Sequence, residues 1–458
     1  MRPILVRPLG GKAKVLLAVG SLLLLAVLAV AAYGVHLVGK LNTPAFQKAL
    51  LDQAEATLGA RVRVKEMNIS LFSGVTLKGI VVANPAPFAG NFLTADAFVL
   101  RYRLRPLLSG RVEVERIALQ KPALGLVMDA RGLFNYERLG RPASRSAPTP
   151  TAAVAAPLSV VLKQLAVENA SVVMTDQKAA RLMSMEGVEF RSAFAVEAGV
   201  AQGSGKASIA TIDLADLLFV KSVASPLVLS KETVKLAPIR GRVAGGEVTG
   251  DVTVRLKGGF RYVAHVEVKG AEVRTLLAEA KAAGGVSGEL RAKATFEGTG
   301  GMATMKGRGE ATVTRCRVEQ GRTFALLAAA LQVPELATPD FEECRVEFTQ
   351  SGLRLSTPVL VLKGKSLQLS GSGTVDLNTY GLDYQMTLAL APKLLAKVTR
   401  PELRPAFKER GDGFSAIEFH LFGTTRSPQT DLLSRVGKAA ATEALKNQLG
   451  RLFKKQDR

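Results

Sequence analysis

Apolar and polar residues alternate along much of this chain, which is the pattern of strands that bury one face. Successive side chains of a strand point to opposite faces, so residues two apart share a face. One such face holds Phe98, Leu100, Tyr102 and Leu104. A second, far along the chain, holds Leu382, Tyr384, Met386, Leu388 and Leu390. The pattern predicts antiparallel sheet with one apolar face.

Similar segments fill the region after residue 60, separated by Gly and Pro breaks. The first predicted strands are Ala60–Leu71, Val75–Val82, Phe92–Leu104, Arg111–Leu119 and Leu124–Asp129. Helical segments are few: Lys40–Leu58 with Thr43 as N-cap, Pro44 at the first helical position and Gly59 as terminator, then Asp213–Val220, Val273–Ala282 and Thr323–Leu331. Long helices do not alternate with strands, so a parallel α/β sheet is disfavoured. We predict a mostly β chain with a few short helices.

About 20 strands side by side would make a sheet too long to stay flat, because open sheets rarely exceed about ten strands without curling. The fold prediction is therefore one long, curved antiparallel β-sheet that forms a trough. Its inner face would hold the two apolar sets above, and that face needs an apolar partner. Lipid acyl chains would be a suitable apolar partner for this face.

The N-terminus predicts a membrane anchor. Residues Val15–Val38 contain no Asp, Glu, Lys or Arg, and as a helix they would span roughly 36 Å, enough for a ~30 Å hydrocarbon layer. Arg2, Arg7, Lys12 and Lys14 precede this segment, which predicts a cytoplasmic N-terminus and an extracytoplasmic remainder. A cleaved signal peptide is the alternative, although its apolar region would be shorter.

The sequence divides into six regions. They are a cytoplasmic N-terminus with the anchor (1–40), a first β region (41–140), a Pro- and Ala-rich linker (141–157), a middle β-groove region (158–340), a second β region (341–428) and a basic amphipathic C-terminal helix (429–458). The C-terminal helix either packs across the open end of the sheet or lies on a membrane surface.

The net charge of +22 raises the question of nucleic-acid binding. Lys and Arg are spread along the chain and often alternate with apolar residues, as in Arg61–Lys65, which is typical of the solvated face of a strand. Because the predicted topology also places the domain outside the cytoplasm, nucleic acid is excluded as a partner. Attraction to anionic lipid head groups is the better explanation for the excess charge.

The sequence offers little catalytic chemistry. His36 lies in the predicted anchor, and His265 and His420 occupy polar positions of alternating strands, so no metal or cofactor site is expected. Three glycine-containing segments fail as nucleotide-binding motifs and are interpreted as turns: Gly203–Lys206, Gly364–Ser366 and Gly371–Gly373. We expect a protein that is not an enzyme.

Cys316 and Cys344 are the two cysteines. In an oxidising compartment they would be able to form a disulfide across the helix predicted at Thr323–Leu331. The alternative is two separate buried thiols that behave as small hydrophobic side chains.

Residues 71–135 resemble the N-terminal signature of the AsmA family. The matching segments are Ser73–Gly79, Asn84–Pro85 with Phe88, Ala95–Asp96, Arg105–Gly110, Lys121–Pro122 and Asp129–Gly132 with Asn135. Phe341–Pro428 is similar to the family as well, through Ser351–Gly352, Gly371–Leu377, Phe422–Thr424 and Ser427–Pro428. The middle of the chain resembles the family only in its general residue pattern.

The resemblance implies an inner-membrane-anchored, periplasmic envelope protein related to lipid carriers with repeating β-groove folds. It implies a hydrophobic groove that binds or shuttles phospholipid for outer-membrane biogenesis, with the outer membrane or an envelope partner protein as a further contact. The alternative function is a scaffold that assists outer-membrane protein assembly through exposed strand edges. A continuous apolar trough favours the carrier, and a filled, dry interior favours the scaffold.

Overall fold

The computed structural model describes residues 43–70, 74–103, 111–140, 159–197, 200–256, 261–282, 285–299, 302–319, 322–399, 401–425 and 427–438. The predicted anchor at Val15–Val38 and the predicted linker at 141–157 lie outside these ranges. None of the helices within them is long and apolar enough to cross a membrane.

The chain separates into two compact units, which are described individually below. The first unit comprises Met1–Arg242, Thr249–His265 and Glu297–Thr304, and the second comprises Val243–Val248, Val266–Phe296 and Met305–Arg458. The division therefore falls inside the region expected to form the middle groove.

Strands dominate both units, as the alternating pattern predicts, and 22 are found in the described residues. The first eleven are β1 (Val62–Arg63), β2 (Glu66–Ser70), β3 (Gly74–Ala83), β4 (Asn91–Arg103), β5 (Arg111–Gln120), β6 (Ala123–Met128), β7 (Ser159–Asp176), β8 (Arg181–Glu197), β9 (Val200–Leu214), β10 (Leu218–Ser230) and β11 (Thr233–Val243). The others are β12 (Gly246–Arg255), β13 (Arg261–Glu272), β14 (Val286–Thr299), β15 (Lys306–Val318), β16 (Asp340–Ser351), β17 (Arg354–Lys363), β18 (Leu367–Asp376), β19 (Gly381–Leu390), β20 (Lys408–Glu409), β21 (Ser415–Thr424) and β22 (Ser427–Thr430).

The helices are short, as expected. The α-helices are α1 (Pro44–Leu58), α2 (Val273–Glu279), α3 (Arg322–Leu331) and α4 (Pro392–Ala396), and residues 432–438 are also helical. Single 3₁₀ turns occur at Asn135–Arg138, Met302–Thr304 and Pro334–Leu336, with a longer one at Pro401–Ala406. The helix predicted at Asp213–Val220 is wrong, because these residues form the β9–β10 hairpin.

Helix α1 begins and ends where the sequence predicts. The Thr43 hydroxyl accepts a hydrogen bond from the backbone N–H of Phe46 at 3.4 Å, and Pro44 occupies the first helical position. Gly59 ends the helix in the left-handed conformation at φ 64°, and its N–H donates to the Glu55 carbonyl. Both caps satisfy backbone groups that a helix end leaves unpaired.

The first unit departs from the predicted antiparallel meander at one strand. Strand β7 pairs in parallel with β5 through its first half and with β6 through its second half, so the sheet is mixed. A parallel pair needs a crossover connection of a dozen or more residues. The segment between β6 and β7 has that length.

The remaining pairs in the first unit are antiparallel. Strand β3 pairs with β1, β2 and β4, and β4 pairs with β5 and β6. From β7 the order continues through β8 and β9 to β10.

In the second unit, the described pairs run in sequence from β15 through β16, β17 and β18 to β19. Strand β21 then pairs with β19, β20 and β22. All of these pairs are antiparallel.

Several residues of the AsmA-like signature hold loops in place. Asn135 is fully buried, and its side-chain amide donates to the Asn84 side-chain oxygen at 2.6 Å and to the Gly125 carbonyl at 2.8 Å. The Asp129 carboxylate accepts from the backbone N–H groups of Arg131 and Leu133, each at 2.9 Å. These contacts give Asn135 and Asp129 of the signature a structural role.

We predict that Asn135→Ala destabilises the protein by about 1–3 kcal/mol, because it leaves the half-buried Gly125 carbonyl and the Asn84 side chain without their shared donor. Urea unfolding of both proteins measures the difference. Asn68→Ala, at an exposed position of β2, is the control and should be close to neutral. Equal losses in the two variants would contradict this role of Asn135.

Candidate functional site

An apolar face crosses the first unit from β3 to β10. Because directly paired residues of neighbouring strands share a face, the register traces lateral rows across the sheet. Three rows follow from the pairs: Val75, Leu100, Ile117, Leu165, Ser192, Gly205 and Leu227; Leu77, Phe98, Leu119, Val167, Phe190, Ala207 and Ser225; and Tyr102, Val114, Leu162, Phe194, Gly203 and Leu229.

Three of the predicted groove residues lie on this face, namely Phe98, Leu100 and Tyr102, at the end of the rows nearest β3. There the face is buried. Leu100 is 0% exposed in a cluster against which Phe46 of helix α1 packs. The Tyr102 hydroxyl donates to the Ser70 carbonyl at 3.2 Å, and burial raises the pKa of Tyr102. The fourth predicted residue, Leu104, lies outside the described ranges.

The face is partly open in its middle, on β7 and β8, whereas Ser192, Ser225 and Leu227 of the same rows are buried. On β7 and β8 the large apolar side chains are half-buried, with part of each in contact with solvent: Leu162, Leu165, Val167, Phe190 and Phe194. Together with Gly203, Gly205 and Ala207 of β9, we call these residues the open apolar face. The predicted groove residues did not include them, although their spacing carries the same period-2 signal.

Glycines shape this open apolar face. A Cβ atom at Gly203 would lie 2.4 Å from the Phe194 ring and 2.3 Å from the Ala193 carbonyl oxygen, so the aromatic ring covers the glycine backbone. At Gly205 a Cβ atom would lie 2.3 Å from the Arg191 carbonyl oxygen. The interpretation of Gly203–Lys206 as a turn is wrong, because the segment is the interior of β9. Close approach between strands explains these glycines better.

The opposite face of the same strands is polar. Arg191 pairs with Lys206, and Lys206 pairs with Pro226. Each of these residues is next in sequence to a residue of the apolar rows, so its side chain points to the opposite face. The carboxylate of Glu168 accepts from Arg116 at 2.6 Å on this face. The alternation thus separates apolar from polar side chains on this part of the sheet, although Ala118 and Ala166 of the polar face are also fully buried.

The second unit has an apolar face of its own, traced by the same kind of rows. One row contains Val313, Cys344, Leu362, Leu369, Leu388 and Ile417, and the next contains Ala311, Val346, Leu360, Gly371, Met386 and Phe419. The interpretation of Gly371–Gly373 as a turn is therefore wrong, since these residues lie within β18. Gly364–Ser366 does connect β17 and β18, as predicted.

Five predicted groove residues lie on this second face: Leu382, Tyr384, Met386, Leu388 and Leu390. All but Leu382, which packs against the cluster from its edge, are buried in one large apolar cluster that includes residues of α3, of α4 and of the helical segment 432–438. Tyr384 shares a 2.9 Å hydrogen bond with Thr357 inside it. We call this cluster the closed core.

Met386, which is 4% exposed, tests how tightly the closed core is packed. We predict that Met386→Asp lowers stability by about 3 kcal/mol or more, because the carboxylate would be buried without a partner. Met386→Leu keeps volume and polarity and should cost less than about 1.5 kcal/mol. Chemical denaturation of both variants measures this, and a Met386→Asp protein as stable as the parent would show that water reaches the position.

The two cysteines lie near each other in the second unit, on the neighbouring strands β15 and β16. Both are free thiols in this structure. The interaction between the two thiols lowers the pKa of Cys316 and, together with burial, raises the pKa of Cys344. Their disulfide remains a prediction for the oxidising compartment.

We expect the chain isolated from an oxidising compartment to carry the Cys316–Cys344 disulfide. Its intact mass should be lower by two hydrogen atoms than after reduction, and a Cys344→Ser variant should show no such difference. Alkylation of both cysteines without prior reduction would contradict the pairing.

Both described histidines contact a single carboxylate. His265 lies 3.2 Å from Asp251, and the Nε2 atom of His420 lies 2.8 Å from Asp383. Within the described ranges no three His, Cys, Asp or Glu side chains come together as metal ligands would. The candidate site is therefore taken to be the open apolar face, which offers apolar contact to a ligand.

A comparison with protein-family models matches residues 11–226 to the AsmA family. No curated protein and no solved structure matches the chain. The match covers slightly less than half of the sequence, but it includes β3 to β9 and most of β10, which carry the apolar face. The motifs quoted from residues 73–135 lie inside it. The match supports the assignment of residues 11–226 to the AsmA family.

Proposed function

We propose that this protein binds phospholipid acyl chains on the open apolar face of its first unit, as part of envelope biogenesis. The observation that carries the proposal is the register, which pairs Val167 with Phe190 and Leu162 with Phe194 in rows that helix α1 leaves uncovered. Family membership over residues 11–226 supports a role in the cell envelope.

The energetics favour acyl chains as the occupant. Half-buried Phe and Leu side chains retain apolar area in contact with water, and covering them releases roughly 0.8 kcal/mol for each buried methylene of the ligand. Contact of this kind is not directional, so one face would accept many acyl chains. Head groups would stay in water beyond the edges of the rows.

In the same proposal, the segment Val15–Val38 anchors the chain in the inner membrane and the strands lie in the periplasm. The support is the uncharged length of this segment and the basic residues before it. The protein then acts by binding and shielding, without catalysis. Any net direction of lipid movement must come from a gradient or from a partner protein.

The closed core of the second unit limits this proposal. Its filled interior is the feature expected of a scaffold, so acyl-chain binding is assigned to the first unit alone. The predicted groove residues of β19 then act as structural core, and those of β4 mark the covered end of the face.

Leu165 is the most telling position for a test, because it lies in the middle of a row and is half-buried. We expect Leu165→Asp to remove most of the phospholipid that co-purifies with the full chain, since a charge in the path repels acyl chains. Native mass spectrometry of the detergent-extracted protein measures the bound lipid.

Val228→Asp is the matched control. Val228 is 51% exposed and pairs with Ser204, which places it on the opposite face of the sheet. It should keep its lipid, and both variants should melt close to the parent. Equal lipid in all three proteins would reject acyl-chain binding on this face.

A further inference from the structure

A concave feature lies in the first unit, on strands β7 to β11. It is an open cavity of about 1020 Å³. Four basic side chains line it, together with the carboxylate of Glu189: Lys163, Arg191, Lys206 and Arg240.

Two of these cations face each other without an intervening acid. Arg191 and Lys206 are direct cross-strand partners of β8 and β9, an arrangement in which like charges repel. Arg191 is 67% exposed and lies 3.9 Å from Glu189, its nearest acid. An anion held between the two strands would relieve this repulsion.

The cavity carries more positive charge than its acids balance. Lys163 forms an ion pair with Glu113. Lys206 and Arg240 have no hydrogen-bond or ion-pair partner among the residues that the structure describes. Two cations are therefore available for a ligand.

Apolar groups complete the cavity. Pro226 is the cross-strand partner of Lys206, and Ala193 and Pro238 also contribute to the lining. The volume is at the upper end of the range for small-molecule pockets, far more than a lone phosphate ion fills. The lining suits an anion that is attached to a larger, partly apolar body.

We propose that this cavity binds the phosphate and glycerol portion of an anionic phospholipid. Lys206, Arg191 and Arg240 contact the phosphate oxygens, and Pro226 and Pro238 contact the glycerol and ester carbons. Since Arg191 and Lys206 alternate with the residues of the apolar rows, this site lies on the opposite face of the strands. Phe190, Gly205 and Ala207 of the open apolar face also border the cavity. The phosphate contacts come from side chains of the polar face, so this proposal does not depend on the acyl-chain contact proposed above.

The test is a titration of the full chain in non-ionic detergent with dihexanoyl phosphatidylglycerol, followed by calorimetry. The double variant Lys206→Glu/Arg240→Glu should bind it at least about tenfold more weakly. Lys306→Glu/Arg308→Glu is the control, because it makes the same change of charge at exposed positions of β15 and should bind like the parent. Melting temperatures verify that each variant is folded, and Lys206→Gln/Arg240→Gln replaces the first pair if it is not.

Two further ligands identify the source of the phosphate. Zwitterionic dihexanoyl phosphatidylcholine and sn-glycerol 3-phosphate should both bind more weakly than phosphatidylglycerol. Binding of glycerol 3-phosphate as tight as that of phosphatidylglycerol would overturn the lipid assignment in favour of a free phosphate ester. Unchanged phosphatidylglycerol affinity in the Lys206/Arg240 variants would overturn the site itself. Native mass spectrometry of the Lys206/Arg240 variants, which should still detect phospholipid held by the open apolar face, keeps this outcome distinct from failure of that face.

Discussion

Everything proposed for this molecule depends on cross-strand register. Where one face of a sheet is apolar, a slip of one residue would expose every apolar side chain of a strand to water, at about 1.5–3 kcal/mol for each large one. The observed pairs avoid that in both units. The lateral rows through Leu165 and through Met386 result from this single constraint.

The two units differ in how they cover the apolar face. In the second unit, residues of short helices join the cluster around Met386 and close it. In the first unit, helix α1 covers the rows near Leu100 and ends there, so that Phe190 and Phe194 remain in contact with solvent. A single sheet design thus provides a packed core in one unit and a surface available for binding in the other.

Much of this fold was predictable because alternation and capping are local signals. The ends of helix α1, the strand segments up to Met128 and the burial of Leu100 follow from residue types within a few positions. The parallel pairing of β7 could not be predicted from the alternation. It depends on the path of a long connecting segment, and that path produces no periodic pattern in the sequence. Gly203 and Gly371 were assigned to turns for the same reason, since only the neighbouring strand shows what a side chain would strike.

The candidate site was only half predictable. Period-2 patterning identified which residues share a face, as it did for Phe98 and for Tyr384. It did not identify which part of that face is covered, because coverage comes from helices distant in sequence from the strands they bury. The open residues of β7 and β8 therefore emerged from the structure, and the predicted residues of β19 became part of a core.

Photo-crosslinking in cells is the most direct test of acyl-chain binding on the open apolar face. A benzophenone amino acid placed at Phe190, on the open apolar face, should form ultraviolet-dependent adducts with phospholipid that mass spectrometry detects. The same probe at Arg308, an exposed position of β15 in the second unit, should form far fewer acyl-chain adducts. Lipid adducts of equal yield at both positions, or none at Phe190, would contradict acyl-chain binding on this face.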